Sequence, residues 1–172
     1  MAIAIIVEDG TGSATANAYV SIADCRIYAA NRGVTLSVVD DTVAAQLIKA
    51  SDYLAALAPR WQGERASVTQ AMDWPRLDVV INGFDWPADD IPNGVIAAQC
   101  QLVMAVNAGF KLQPNLTNKD YKISETLGPI KTEWANPLQV GMQPTFTAVD
   151  ALLAPLFAQS SGGGFSLQTI RV

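Results

Sequence analysis

The chain has 172 residues, half of them apolar and only 16% charged, with 11 Lys and Arg against 16 Asp and Glu, a net charge of -5 and no histidine. That length suits one core of ordinary size, and the acidic balance argues against a tightly held phosphate backbone, because such binding rests on Lys and Arg displacing counterions. Without histidine the commonest general base, the commonest metal ligand and every Ser-His or Cys-His nucleophile pair are gone; no catalytic residue, cofactor or metal is expected, and the surplus apolar surface points to a subunit of a larger assembly.

Ile3 to Val7 is rich in β-branched residues and stops at Glu8-Asp9-Gly10-Thr11-Gly12, which predicts a short strand and a turn. The glycines resemble those of a phosphate loop, but the Lys-Ser/Thr ending and the following helix are missing. The same segment has no basic flank and meets its acids too early for a signal peptide. Ser21 with Asp24 forms an N-cap pattern ahead of Ile22, Cys25, Ala29 and Ala30, so a first helix is expected over Ser21 to Asn31. Asp40 or Asp41 can cap a second, with Val43, Ala44, Leu47, Ile48, Ala50, Leu54 and Leu57 on its apolar face and Pro59 as its stop.

The stretch from Trp61 to Asp90 holds three of the four tryptophans, with prolines and glycines between them. It reads as an ordered loop, and Trp61, Trp74 and Trp86 are expected to staple it onto the helices, since large aromatics bury too much area to stay in water. Arg60, Arg65 and Arg76 interleave with these rings. That pairing could stack single-stranded bases; the preferred reading is packing over tryptophan or pairing with Glu64, Asp73 or Asp78. Asp89 and Asp90 read as helix-dipole partners rather than a cation site.

Pro92 suits the first turn of a third helix running to Gly109. Its apolar residues nearly encircle it, which marks the central helix, and Gln99 and Gln101 on it are expected at a subunit contact. Cys25 and Cys100 read as small core hydrophobes. The apolar stretch Val95 to Val106 is shorter than the roughly 18 residues a membrane span requires, so no membrane partner is expected and synthesis in the cytoplasm is.

Beyond Pro114, Tyr121, Ile123 and Thr126 before Gly128-Pro129, and Ile130, Thr132 and Trp134 after it, alternate as strands do. A two-stranded arm is expected over 119–134, with Tyr121, Ile123, Ile130 and Trp134 available to a neighbouring subunit. Thr147 can cap a short helix made irregular by Pro155. Ser160-Ser161-Gly162-Gly163-Gly164 reads as a flexible joint, and Phe165, Leu167, Ile170 and Val172 beyond it form an apolar docking tail. The expected architecture is mainly α: a small helical bundle over 1–159 carrying a β-hairpin or extended arm at 119–134, then the joint and extended C-terminal tail, 160–172.

Taken in order, Val7-Glu8-Asp9-Gly10-Thr11-Gly12, Ala16-Asn17-Ala18-Tyr19-Val20-Ser21, Leu47-Ile48-Lys49-Ala50-Ser51-Asp52-Tyr53-Leu54, Arg60-Trp61-Gln62-Gly63, Gln70, Trp74-Pro75-Arg76, Ile91-Pro92 and Gly128-Pro129-Ile130 resemble a tailed-phage family labelled DnaT-like single-stranded DNA-binding proteins. That family is similar to the head-tail connector, adaptor or head-completion proteins of tailed phages. The resemblance implies a virion protein of the neck: a dodecameric ring under the portal protein, extending the DNA channel, contacting neighbouring copies of itself and a downstream neck or tail protein, with DNA passing through without specific binding. The tail after Gly164 would then dock on the portal. The alternative is a single-stranded DNA-binding protein of phage replication, and a third reading, a small-ligand binder, has only the loop's tryptophans behind it.

Overall fold

A computed structural model describes residues 2–114, 124–127, 130–133 and 145–158. It is helix-rich with small antiparallel sheets. In chain order the elements are α1 (Ile22–Ala30), α2 (Asp40–Ala55), a 3-10 turn (Ala58–Arg60), β1 (Glu64–Arg65), β2 (Arg76–Leu77), β3 (Val80–Ile81), β4 (Phe84–Asp85), α3 (Asn93–Asn107), β5 (Ser124–Leu127), β6 (Ile130–Glu133), α4 (Thr147–Leu153) and a second 3-10 turn (Ala154–Leu156).

The expected strand at Ile3 to Val7 is not one. A single parallel bridge joins Val7 to Ala18, with Ile6 O accepting from the Asn17 and Ala18 amides and Glu8 N donating to Ala18 O. The reason is Asn17: its Oδ1 accepts from Ile6 N and its Nδ2 donates to Ala4 O, both at 2.9 Å. A side chain thus satisfies backbone groups that a strand would have offered to a ladder.

Helix α1 starts as its sequence predicts, with Ser21 Oγ accepting from Asp24 N and donating to the Asp24 carboxylate. For α2 the expected cap is wrong. Val39 occupies the N-cap without a side-chain bond, and Asp40 and Asp41 stand in the first turn. Both carboxylates have other partners: Asp40 forms a 2.7 Å ion pair with Arg26, and Asp41 accepts from Ile3 N. They still complement the positive end of the helix dipole. The helix ends at Ala55, short of Pro59, which sits in the 3-10 turn where its fixed φ and missing N–H do no harm.

Helix α3 has Pro92 as its N-cap and stops before Gly109, whose φ of +94° reverses the chain. It packs on α1, α2 and α4, and Val95, Ala98, Leu102 and Val103 are fully buried along it. Gly94 lets α4 approach: a Cβ there would lie 2.8 Å from Leu152 O. Thr147 begins α4, but Phe146 is its N-cap and no side chain bonds there; Pro155 falls in the following 3-10 turn.

The loop between α2 and α3 carries two tiny sheets. Strand β1 pairs with β2, Glu64 opposite Leu77, and β3 pairs with β4, Ile81 opposite Phe84, across the two-residue turn Asn82-Gly83. Both turn residues have positive φ, 53° and 84°, the conformation that Asn-Gly adopts most readily in a tight hairpin. Within the expected 119–134 arm, β5 and β6 pair antiparallel from Ser124 opposite Glu133 to Leu127 opposite Ile130.

Candidate functional site

The tryptophan loop is built around two buried rings. Trp61 and Trp74 meet edge to face, centroids 5.8 Å apart, and Phe157 lies 5.0 Å from Trp61 on its other side. Trp74 is fully buried, while Trp86 is half-buried and donates Nε1–H to Asp90 O. Among the described residues the Nε1 atoms of Trp61 and Trp74 have no hydrogen-bond partner.

Of the arginines that interleave with these rings, Arg65 and Arg76 bind backbone carbonyls rather than the tryptophans or acids expected for them, and Arg60 packs over an aromatic ring that is not a tryptophan. Buried Arg76 donates to Gln62 O, Gly63 O and Asp73 O, Arg65 donates to Gln70 O and Met72 O, and Arg60 lies over the Phe157 ring at 3.9 Å. A planar guanidinium can satisfy several convergent carbonyls at once, and a loop with little regular pairing leaves many. Burial lowers the Arg76 pKa from its ordinary value, against the pull of Asp73, and burial likewise raises that of Asp73, against Arg65 and Arg76. Gln70 completes the frame, donating to Met72 O and Pro75 O and accepting from Ser67 N. Arg76 is thereby engaged inside the loop, while Arg60 and Arg65 remain exposed at its surface.

Gln99 was expected at a subunit contact and is instead inside the molecule. It is 0% exposed; Oε1 accepts from Tyr19 N at 2.8 Å, and Nε2 donates to Ser51 Oγ at 2.8 Å and to Leu47 O at 3.3 Å. The Tyr19 hydroxyl in turn accepts from Trp74 N, and burial pushes its pKa up. A chain of bonds therefore runs from α2 and α3 through Tyr19 into the tryptophan loop. Gln101 donates to the Tyr28 hydroxyl within the same molecule. Cys25 and Cys100, far apart in sequence, interact across α1 and α3 as buried free thiols. The hydrogen bond between them lowers the Cys25 pKa, and the same bond together with burial raises that of Cys100.

The glycine turn after Glu8 is an anion cradle already filled. Glu8 is buried, and its carboxylate accepts from Gly10 N at 3.0 Å, Gly12 N at 2.9 Å and Ser13 N at 2.8 Å. Amides that would face a phosphate in a nucleotide loop face the chain's own acid. Gly10 also abuts the segment before α3: a Cβ there would fall 1.9 Å from Asp89 O. Asp90 accepts from Ile91 N next to it, and both acids lie ahead of the first turn of α3, which holds no acidic residue.

Two exposed aromatics, neither of them singled out in the sequence, stand on the surface instead. Phe84 is 75% exposed on the β3–β4 hairpin, and Val80 and Leu77 in the same loop are exposed as well. Phe110, 61% exposed after the C-cap of α3, borders two hollows. One, of about 510 Å³, lies between α3 and the start of α4 and is lined by Met104, Ala105, Phe110, Phe146 and Ala148 among others; the other, of about 390 Å³, brings Lys49, Asp52 and Lys111 beside the same ring. The sequence signal for Phe84 is the Asn-Gly turn before it; for Phe110 it is the helix-ending Gly109. Of the expected docking residues, Ile130 is placed on β6 opposite Leu127, whereas Tyr121, Ile123, Trp134, Phe165, Leu167, Ile170 and Val172 lie outside the described residues.

No curated protein and no solved structure matches the chain. A family model matches residues 3–172, nearly the whole length, under the description "Putative DnaT-like ssDNA binding protein". The ordered series of short motifs and this end-to-end match agree: the chain belongs to the DnaT-like single-stranded DNA-binding protein family.

Proposed function

We propose that the chain is a structural subunit of a tailed-phage neck, a head-tail connector that works in several copies under the portal and lets DNA pass. The observation that carries this reading is the division of labour between side chains. Arg76, Gln99, Gln70 and Glu8 all close on the chain's own backbone, while Phe84, Phe110, Ile27 and Val38 stand in water. Large apolar side chains left exposed on a firmly braced body serve contact with other proteins. The net charge of -5 suits a channel that DNA must slide through without adhering. In this reading Phe165, Leu167, Ile170 and Val172 dock on the portal, and the arm bearing Tyr121, Ile123, Ile130 and Trp134 reaches a neighbour. Mixing the purified protein with portal rings and imaging the product is the test. A ring of this subunit on the portal's outer face is expected, and bare portals at saturating protein sink the proposal.

A second reading, binding of single-stranded DNA, is the one the family's description supports directly. One surface favours it: the exposed Phe110 ring between Lys49 and Lys111 joins a stacking platform to two cations. Titration with a labelled single-stranded oligonucleotide separates the two readings.

A further inference from the structure

The hairpin of β3 and β4 has the form of a knob. It turns on Asn82-Gly83, carries Phe84 at 75% exposure and Val80 at 45%, and is flanked by the exposed carboxylates of Asp78 and Asp85. It rests against the second 3-10 turn, where Gln62, Val80, Asn82, Gly83 and Pro155 come together. That places the knob at the C-terminal end of α4. The 510 Å³ hollow opens at the N-terminal end of the same helix, around Phe146 and Ala148, and Phe110 on its wall also borders Lys111 and Lys49.

Knob and hollow therefore match in chemistry and lie apart on one molecule. The hollow is an open depression, mainly apolar, with Met104, Phe110 and Phe146 on its walls and Gln101, Thr145 and Thr147 at its polar points. A phenyl ring is of a size to enter it, and the register sets Phe84 on the hairpin face opposite to Val80, which lies with Gln62 and Pro155 against the body. The surroundings are opposite in sign: exposed Asp78 and Asp85 stand on the hairpin and its approach, and Lys49 and Lys111, with Asp52, line the adjoining hollow across the Phe110 ring. Because the two surfaces sit at opposite ends of α4, a hairpin cannot fill its own hollow, and a contact joining them would lie between copies.

We propose that the β3–β4 hairpin of one copy seats Phe84 in the Met104–Phe110–Phe146 hollow of another, with Asp78 and Asp85 of the first facing Lys111 and Lys49 of the second. A contact between different patches is heterologous and propagates from copy to copy, closing into a ring where the rotation allows. Phe84 is the central anchor of this interface, and the charge pairs orient it. The inference deepens the neck reading by naming how copies join, and it rests on that reading only for its biological setting.

Sedimentation velocity of the full chain over a wide concentration range is the test. Wild-type protein is expected to show species heavier than the monomer. Phe84→Asp and Ala148→Trp, both at exposed positions, are expected to sediment as monomers while keeping the wild-type circular dichroism, a weakening of about thirtyfold or more, as befits loss of a central aromatic anchor. Mixing these two variants supplies one intact knob and one intact hollow, so dimers return. Asp85→Lys weakens association, and pairing it with Lys111→Glu restores it. Monomers at every wild-type concentration, or no dimers in the mixture, overturn the proposal. Failure to bind portal rings leaves the self-contact standing, and a monomeric protein that still rings the portal removes the self-contact alone.

Discussion

Replacing Glu8 by glutamine keeps the shape of the side chain and removes its charge. The carboxylate accepts from three amides, Oε1 from Gly10 and Gly12 and Oε2 from Ser13. Whichever way the amide is turned, its NH2 meets at least one N–H that it cannot accept from. A buried donor then goes unpaired and charge-assisted bonds become neutral ones, so Glu8→Gln is expected to cost about 2–3 kcal/mol in urea unfolding at neutral pH. Asp73 behaves in the opposite sense. Burial raises its pKa above the ordinary value, with Arg65 and Arg76 opposing, so the folded chain holds this proton more tightly than the unfolded one. Its contribution to stability is present in full below the ordinary carboxylate range and is lost as pH rises through the elevated folded value. Asp73→Asn should therefore stabilise the protein slightly at neutral pH, by a fraction of a kcal/mol given the partly exposed site. The gain should vanish when urea midpoints are compared at acid pH; equal midpoints at neutral pH would contradict this reading.

At the scale of elements, the Asn82-Gly83 turn separates backbone conformation from packing. Nothing lies within 4 Å of a Cβ built on Gly83, yet its φ is +84°, so Gly83→Ala is expected to cost about 1–2 kcal/mol through backbone strain alone. At Gly63 the same change would place the Cβ 1.9 Å from Leu77 O and should be far more damaging, a difference that thermal melts of the two variants can read. The sequence does carry a signal for this hairpin, Asn-Gly between apolar residues, but the density of Trp, Pro and Gly around it made the whole segment read as an ordered loop without strands. The three long helices were legible for a simpler reason: their apolar positions recur at helical spacing and their ends carry Ser21, Pro92 and Gly109. What pattern could not supply was partnership across the fold. Gln99 lies on a helix whose other faces are apolar, and nothing near it in sequence shows that Tyr19, Leu47 and Ser51 converge on its amide. Gln99→Leu leaves the Tyr19 N–H unpaired in the core, and a loss of about 1–3 kcal/mol is expected. The same limit hid the meeting of Cys25 with Cys100 and the turn of Arg65 and Arg76 toward carbonyls instead of acids.

For the whole molecule the question is whether the cations left at the surface can hold a nucleic acid. Among the described residues Arg76 is buried, Arg65 donates to carbonyls, Arg26 pairs with Asp40, and Arg32 and Arg60 lie over the Tyr28 and Phe157 rings; the exposed Phe110 ring adjoins two lysines with Asp52 beside them. Each phosphate neutralised on a single strand contributes about -0.7 to the slope of log K against log salt, so two lysines give a slope of about -1.4 before the opposing carboxylate acts. Stacking on one ring adds about 1–3 kcal/mol. Millimolar binding corresponds to about 4 kcal/mol, and a body of net charge -5 works against even that. Fluorescence anisotropy with a labelled single-stranded oligonucleotide at moderate salt is therefore expected to show no saturation in the micromolar range. Micromolar or tighter binding with a steep salt slope, lost in Phe110→Ala and Lys49→Ala, would instead make the Phe110 cleft a DNA site and the second reading the right one. Steep binding that survives both substitutions would place the DNA on a different surface and still displace the neck reading, since a channel lining that grips its DNA cannot let it pass.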